Sequence, residues 1–336
     1  LSVVRVPVPI DSWVFFCKTM ATPRVILDAG GSNVSSPQLA YGTYKVGVVP
    51  ASSSEGAAAP PRGTREVVLD ALAAGYRCLD CAQFYANEAD VGAALEESGI
   101  ARDELFLISK VWNDTVYAGG DAVKAQVRQC AKDLRTPYID LFLVHWPVPG
   151  KHIAAYKALE ELQAEGLVKA IGVANYTVED LTALMEDDAT RRPPAVNQIE
   201  INPFLYRQNT IAACKARGVQ MQSYRALRQC KELGNPLLVE LAAKYAPHTA
   251  AQVLGRWCVQ KGFVYIAKTE RVARMAENAD VFDWAIDVAD MARLDALTTR
   301  ENIATYEELY FKCIVRDTPL EGSLADAAVR PTITLD

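Results

Sequence analysis

From about residue 24 to residue 298 the chain alternates short apolar runs with segments of helical, amphipathic period. The run RCLD at 77–80 follows TREVVLDALAAG, and ELFLISK at 104–110 follows NEADVGAALEESG. YIDLFLVH at 138–145 follows DAVKAQVRQCAKDL, LVKAIGV at 167–173 follows HIAAYKALEELQAEG, and AVNQIE at 195–200 follows VEDLTALMEDD. GVQMQSY and GFVYIAK continue the alternation, and QLAYGTY at 38–44 opens it. Together these make about eight strand–helix units, the count of a (β/α)8 TIM barrel. The strand-like runs are apolar on both faces, as parallel barrel strands buried beneath helices must be. Thr64 is expected to cap the first of these helices and Gly75 to close it. A doubly wound sheet is the competing architecture, but no G-x-G-x-x-G or G-x-x-x-x-G-K-[ST] opens a helix after a strand.

Two stretches break the alternation. VVPASSSEGAAAPPRG, residues 48–63, has neither period and reads as a flexible insertion between the first barrel strand and its helix. The tail from about residue 299 lacks regular patterning and is expected to wrap the open face of the barrel. The opening residues, 1–23, are expected to form a disordered extension that includes translated upstream sequence, because the first methionine is Met20. Residues 24–336 are expected to form a single barrel domain with a short N-terminal hairpin.

Composition narrows the partners. The chain of 336 residues is 50% hydrophobic and 23% charged, with a net charge of -6, so it has no general attraction for nucleic acid or an anionic membrane. Any anion must be held by a local basic cluster. The eight cysteines are too widely spread for a small disulfide scaffold, and no apolar run reaches the ~18 residues of a membrane span.

Candidate chemistry sits at the strand ends. Asp80 ends RCLD, Lys110 ends LFLISK and His145 ends IDLFLVH, with Tyr85 just beyond the first of these. In a barrel, strand C-termini open into one mouth, so three strands deliver an acid, an amine and an imidazole to a shared place. Each alone has a bland explanation as a capping, solvated or packing residue; four at corresponding places are harder to dismiss. Cys78 and Cys81 flank Asp80 in a C-x-x-C arrangement, but no second C-x-x-C completes a zinc site.

At this point the chain resembles the aldo-keto reductase family over nearly its whole length after residue 24. GYRCLDCAQFYANEADVG is similar to the family's Gly-Tyr-Arg-x-Ile-Asp-Thr-Ala-x-x-Tyr-x-Asn-Glu signature, LISKVWN to its lysine motif and YIDLFLVHWPVPGK to its histidine motif. GLVKAIGVANY, VNQIEINP and IAKTERVARMAEN resemble the later cofactor motifs in order. HWPVPGKHIAAYKALEEL is most like the branch that includes diketogluconate reductases and prostaglandin F synthases.

The resemblance implies reduction of a small carbonyl substrate with NADPH, without a metal, by a monomeric cytoplasmic enzyme. It implies Tyr85 as general acid, Lys110 as the charge that favours its phenolate, Asp80 as the partner that positions Lys110, and His145 as the donor that directs the carbonyl oxygen. Trp112 and His145 would meet the substrate. Asn175 and Gln198 would hold the nicotinamide carboxamide, Tyr224 would stack on its ring, and Gly42, Thr43 and Tyr44 would lie near the cofactor. Lys268, Thr269 and Arg274 would grip the adenosine 2′-phosphate, with Glu277 and Asn278 at the adenine. In the later cofactor motifs the chain departs from the pattern in three places. Ala174 stands where the family has serine, RALR at 225–228 replaces Ser-Pro-Leu-Gly, and Ala267 replaces proline. The missing serine removes one hydrogen bond and predicts weaker cofactor affinity. Arg225 either adds charge to the pyrophosphate contact or points to solvent. The alternative to an enzyme is a non-catalytic NADP(H)-binding regulatory subunit or redox sensor of the same fold. The four intact strand-end residues favour catalysis over that reading and over an unrelated barrel lyase or isomerase.

Overall fold

The computed structural model describes residues 22–47, 62–188 and 190–335. The expected extension over 1–23 and the insertion near 48–63 therefore lie, apart from Thr22, Pro23, Arg62 and Gly63, outside the described residues.

The first element is an antiparallel hairpin of β1 (Arg24–Asp28) and β2 (Asn33–Pro37), turned at Gly30 and Gly31, both with positive φ. The barrel strands follow as β3 (Leu39–Gly42), β4 (Cys78–Asp80), β5 (Phe106–Val111), β6 (Ile139–Val144), β7 (Val168–Ala174), β8 (Val196–Glu200), β9 (Gln220–Tyr224) and β10 (Val264–Ala267). All barrel pairings are parallel, and β10 pairs back to β3, so the sheet closes. Each expected barrel strand is found in its predicted run, with β5 and β7 each extending one residue beyond it, to Val111 and Ala174.

Between and after the strands lie α1 (Thr64–Ala73), α2 (Glu88–Ser98), α3 (Asn113–Ala118), α4 (Gly120–Asp133), α5 (His152–Ala164) and α6 (Val178–Glu186). The series continues with α7 (Gln208–Ala216), α8 (Pro236–Lys244), α9 (Ala250–Gln260), α10 (Val272–Ala279), α11 (Val288–Asp295) and α12 (Arg300–Cys313). Among the described residues no helix is long and apolar enough to cross a membrane.

Two local expectations need correction. Gly63, not Thr64, is the N-cap of α1; the Thr64 hydroxyl instead donates to the Val46 carbonyl at 2.7 Å, tying the helix start to the loop after β3. Gly75 behaves as expected, with φ 96° and its N–H donated to Leu72 O. The tail is also more regular than its sequence suggests, since α12 occupies fourteen residues of it. Thr299 caps that helix by accepting the Asn302 N–H, and its buried face is the aromatic set Tyr306, Tyr310 and Phe311. The helix then leads the chain over the barrel mouth: Asn113 donates to Cys313 O at 2.7 Å and to Arg316 O at 3.1 Å.

Strand alternation sorts the core into two layers. Ala40, Cys78, Phe106, Ile108, Leu141, Leu143, Ala170, Val196, Val264 and Ile266 fill the barrel, with Leu27 and Ala29 from the hairpin in the same cluster. Their neighbours, such as Leu79, Leu107, Phe142, Val173 and Tyr265, join the helices in the outer layer. Gly172 faces inward where space is shortest: a Cβ there would lie 2.7 Å from Val196 O and 2.9 Å from Leu143 Cδ2. Gly172→Ala is therefore expected to destabilise the fold by about 1–3 kcal/mol, the usual cost of overpacking. Urea unfolding followed by far-UV circular dichroism measures it; an unchanged midpoint contradicts the packing.

Candidate active site

The interior positions at the C-terminal ends of the strands change from apolar to polar. Asp80 closes β4, Lys110 is the inward residue near the end of β5, and His145 follows β6 with its N–H donated to Val111 O. Lys110 Nζ donates to Asp80 Oδ1 at 2.7 Å, to Cys81 O at 2.8 Å and to Tyr85 OH at 3.1 Å. The His145 and Tyr85 rings stand edge to face, 5.9 Å between centroids. The four strand-end residues singled out in the sequence are thus brought together.

Lys110 is completely buried and Asp80 nearly so. Burial alone pulls an ammonium toward its neutral form, but Asp80 and then Tyr85 hold the Lys110 pKa above the usual lysine range. Burial raises the Tyr85 pKa, and the Lys110 charge offsets only part of that rise. The Lys110 charge thus acts in the expected direction, favouring the phenolate, while burial outweighs it and the phenol stays protonated. Burial, with Lys110 second, pushes His145 well below the usual histidine range, so its imidazole is neutral. Its Nδ1 has no hydrogen-bond partner.

An aromatic wall surrounds this centre. Trp112 stacks on Phe84 at 3.9 Å and meets His145 edge-on at 5.0 Å, while Tyr44 lies 5.1 Å from Tyr85. The tail closes the wall. Trp112 Nε1 donates to Asp317 Oδ2 at 2.8 Å, and the Arg316 guanidinium sits 4.8 Å over the Phe84 ring. Phe84, Arg316 and Asp317 were not legible as site residues; only Phe84's place beside Tyr85 offered a signal.

The other expected positions line the same mouth. Gly42 ends β3, and Thr43 donates through its N–H and its hydroxyl to Asp80 O, both at 3.0 Å. Asn175, at φ 63°, donates to His145 O at 3.0 Å and accepts from Tyr224 OH at 2.6 Å. Gln198 donates to Asp80 Oδ1 at 2.8 Å and to Gln222 Oε1 at 3.0 Å. Gln222 was missed; two glutamines and a serine in the five residues of β9 were a usable signal. The guanidinium of Arg225 pairs with Glu200 Oε2 at 3.1 Å and is partly exposed.

Beyond β10 the mouth has a cationic edge. Lys268 and Arg274 are exposed, Lys268 facing Glu270 at 3.3 Å, and the Thr269 hydroxyl accepts the Arg271 N–H. Glu277 accepts from the Thr249 hydroxyl at 2.6 Å, and Asn278 is buried beside it on α10. Cations gathered at the start of a helix suit a phosphate. The unpaired His145 Nδ1 leaves the polar mouth with capacity for a further partner. On both counts the residues present fit a phosphorylated nicotinamide dinucleotide.

The C-x-x-C pair has a different environment. Positions three apart on an extended strand point to opposite sides, so Cys78 faces the barrel interior and Cys81 the outer layer. Burial raises both thiols above the usual range. Among the described residues no group of three or more His, Cys, Asp or Glu is arranged to hold a metal ion.

Comparison with known proteins agrees with this geometry. Residues 38–299 match the model of the Aldo/keto reductase family. The chain is 38% identical over 247 residues to the glyoxal reductase of Bacillus subtilis, covering 73% of this chain and 88% of that one. It is 36% identical over 283 residues to the methylglyoxal reductase DkgA of Salmonella typhimurium, covering 82% and 95%. Among solved structures, a Bombyx mori aldo-keto reductase in complex with NADP superposes with a TM-score of 0.72 at 27% identity, over 82% of this chain and 93% of that one.

Thiol accessibility checks the strand assignment. Iodoacetamide at about pH 8, where an unperturbed thiol is partly ionised, is expected to label exposed Cys230 first among the described cysteines and to spare Cys78 and Cys81 until the protein unfolds. Peptide mass spectrometry reads the order; early labelling of Cys78 would contradict its interior position.

Proposed function

The chain belongs to the aldo/keto reductase family, and from that premise we propose that it reduces small aldehydes and ketones to alcohols with NADPH, Tyr85 acting as the general acid. The 3.1 Å contact between Tyr85 OH and an ammonium held by Asp80 is the observation that supports it most. NADPH bound across the mouth would supply the hydride. Reduction of a carbonyl also requires a proton at its oxygen, and a phenol held protonated by burial has one to give.

As the proton leaves Tyr85, the phenolate that forms lies beside Lys110, whose charge stabilises it where it develops. Asp80 keeps Lys110 aimed and neutralises its charge otherwise. His145, neutral at ordinary pH, donates a single N–H toward the carbonyl oxygen and so sets the substrate's direction. Phe84, Trp112 and Tyr44 exclude water from that oxygen. The names of the two bacterial relatives suggest glyoxal and methylglyoxal as substrates to try first. The reading carries with it a monomer in the cytoplasm. It also gives Lys268, Thr269 and Arg274 the adenosine 2′-phosphate, Glu277 and Asn278 the adenine, and Asn175, Gln198 and Tyr224 the nicotinamide.

Tyr85→Phe is expected to lower kcat for methylglyoxal by roughly 10²–10⁴-fold, with NADPH binding by fluorescence nearly unchanged. Turnover within about threefold of wild type would remove Tyr85 from the acid role. The pH dependence has a defined sign: reduction needs the protonated phenol, and its pKa is raised. Reductive kcat/KM should therefore stay level through the neutral range and fall only in alkali. A fall beginning near neutrality would show that Lys110 dominates after all.

The clamp has its own test. Arg274→Ala should weaken NADPH binding by about ten- to a hundredfold, the range of one charge-assisted hydrogen bond, and NADH binding much less. Equal loss for both dinucleotides would separate Arg274 from the 2′-phosphate.

A further inference from the structure

Inside the barrel, one layer below the mouth, lies an amide pair that proton transfer does not use. Gln198 on β8 and Gln222 on β9 are register partners, both inward and both buried. A glutamine amide nitrogen carries two hydrogens. Gln198 directs one to Asp80 Oδ1 at 2.8 Å and the other to Gln222 Oε1 at 3.0 Å. Asp80 Oδ1 also receives Lys110, so this oxygen joins the amide pair to the catalytic centre.

The arrangement has a direction. Turning the Gln198 amide over would set its carbonyl oxygen against two acceptors, Asp80 Oδ1 and Gln222 Oε1, with no hydrogen between. Gln222 therefore locks Gln198 in one orientation. That orientation leaves Gln222 Nε2 buried without a partner, a state that usually costs about 1–3 kcal/mol. Such an orphaned nitrogen is what remains when an amide is needed for its oxygen. Gln198 Oε1, in turn, accepts no hydrogen bond from the described residues.

We propose that Gln222 is a positioning residue whose carbonyl oxygen fixes the Gln198 amide, so that Gln198 presents Oε1 as an acceptor to the N–H of the nicotinamide carboxamide. The inference rests on the NADPH reading and assigns to that site a discrimination that hydride transfer does not require. With Ala174 lacking a hydroxyl, the fixed Gln198 acceptor gains weight in reading the carboxamide.

The test compares equilibrium binding of NADP+ with that of its 3-acetylpyridine analogue, by protein fluorescence and without turnover. The analogue keeps a carbonyl oxygen but has no amide N–H. Wild type is expected to prefer NADP+ by about tenfold, one hydrogen bond. In Gln222→Leu the Gln198 amide is released, and the preference should fall below about twofold. Gln222→Glu retains an acceptor oxygen and should keep most of the preference, a rescue that a purely structural role would not produce. If Gln222→Leu does not fold, Gln222→Met makes the same comparison with an unbranched side chain of similar length. A full preference in the folded Leu or Met variant, or none in wild type, overturns the proposal while leaving NADPH use standing. Failure of wild type to bind either dinucleotide overturns both.

Discussion

A lysine with no access to water depends on one carboxylate, and the geometry of the barrel mouth depends on that pair. Asp80 and Lys110 lie on adjacent strands, 2.7 Å apart, both withdrawn from solvent. Removing one member of such a pair leaves an uncompensated buried charge, which commonly costs about 3–5 kcal/mol. The pair is therefore weak evidence for stability and strong evidence for constraint. Further hydrogen bonds support it: Lys110 completes its set with Cys81 O and Tyr85 OH, while Asp80 Oδ1 also takes Gln198.

Burial first, and this pair second, set the protonation of the neighbours. The ammonium depresses His145 further than burial alone would, and it lowers Tyr85 against the larger effect of burial. The pocket thus contains a neutral imidazole and a protonated phenol side by side. Both can donate a hydrogen bond into the mouth. The aromatic wall keeps the interactions strong by limiting competition from water.

The rim is assembled by segments distant in sequence. Trp112 is held from the tail by Asp317, and Asn113 by the carbonyls of Cys313 and Arg316. Asn175 ties the strand after His145 to Tyr224 and, through Tyr306 OH at 3.3 Å, to α12. Trp112, Asn113 and Asn175 are therefore all held by α12 or the residues just after it.

Much of this was legible from one dimension. Alternation of apolar and helical patterns specified eight strand–helix units, because burial on both faces leaves strands little choice of residue. A parallel barrel puts all strand C-termini at one end, so Asp80, Lys110 and His145 could be grouped from their positions alone. Tertiary structure decided the rest. Thr64 lost its capping role to a contact with Val46, and the tail formed α12 because a face of aromatic residues found a surface to cover. The balance of burial against charge at Tyr85, the pairing of Arg225 with Glu200, and the locking of Gln198 by Gln222 depend on distances between separate strands and loops. Sequence spacing fixes which way a residue faces along its own strand; what it meets there is set by neighbours tens to hundreds of residues away.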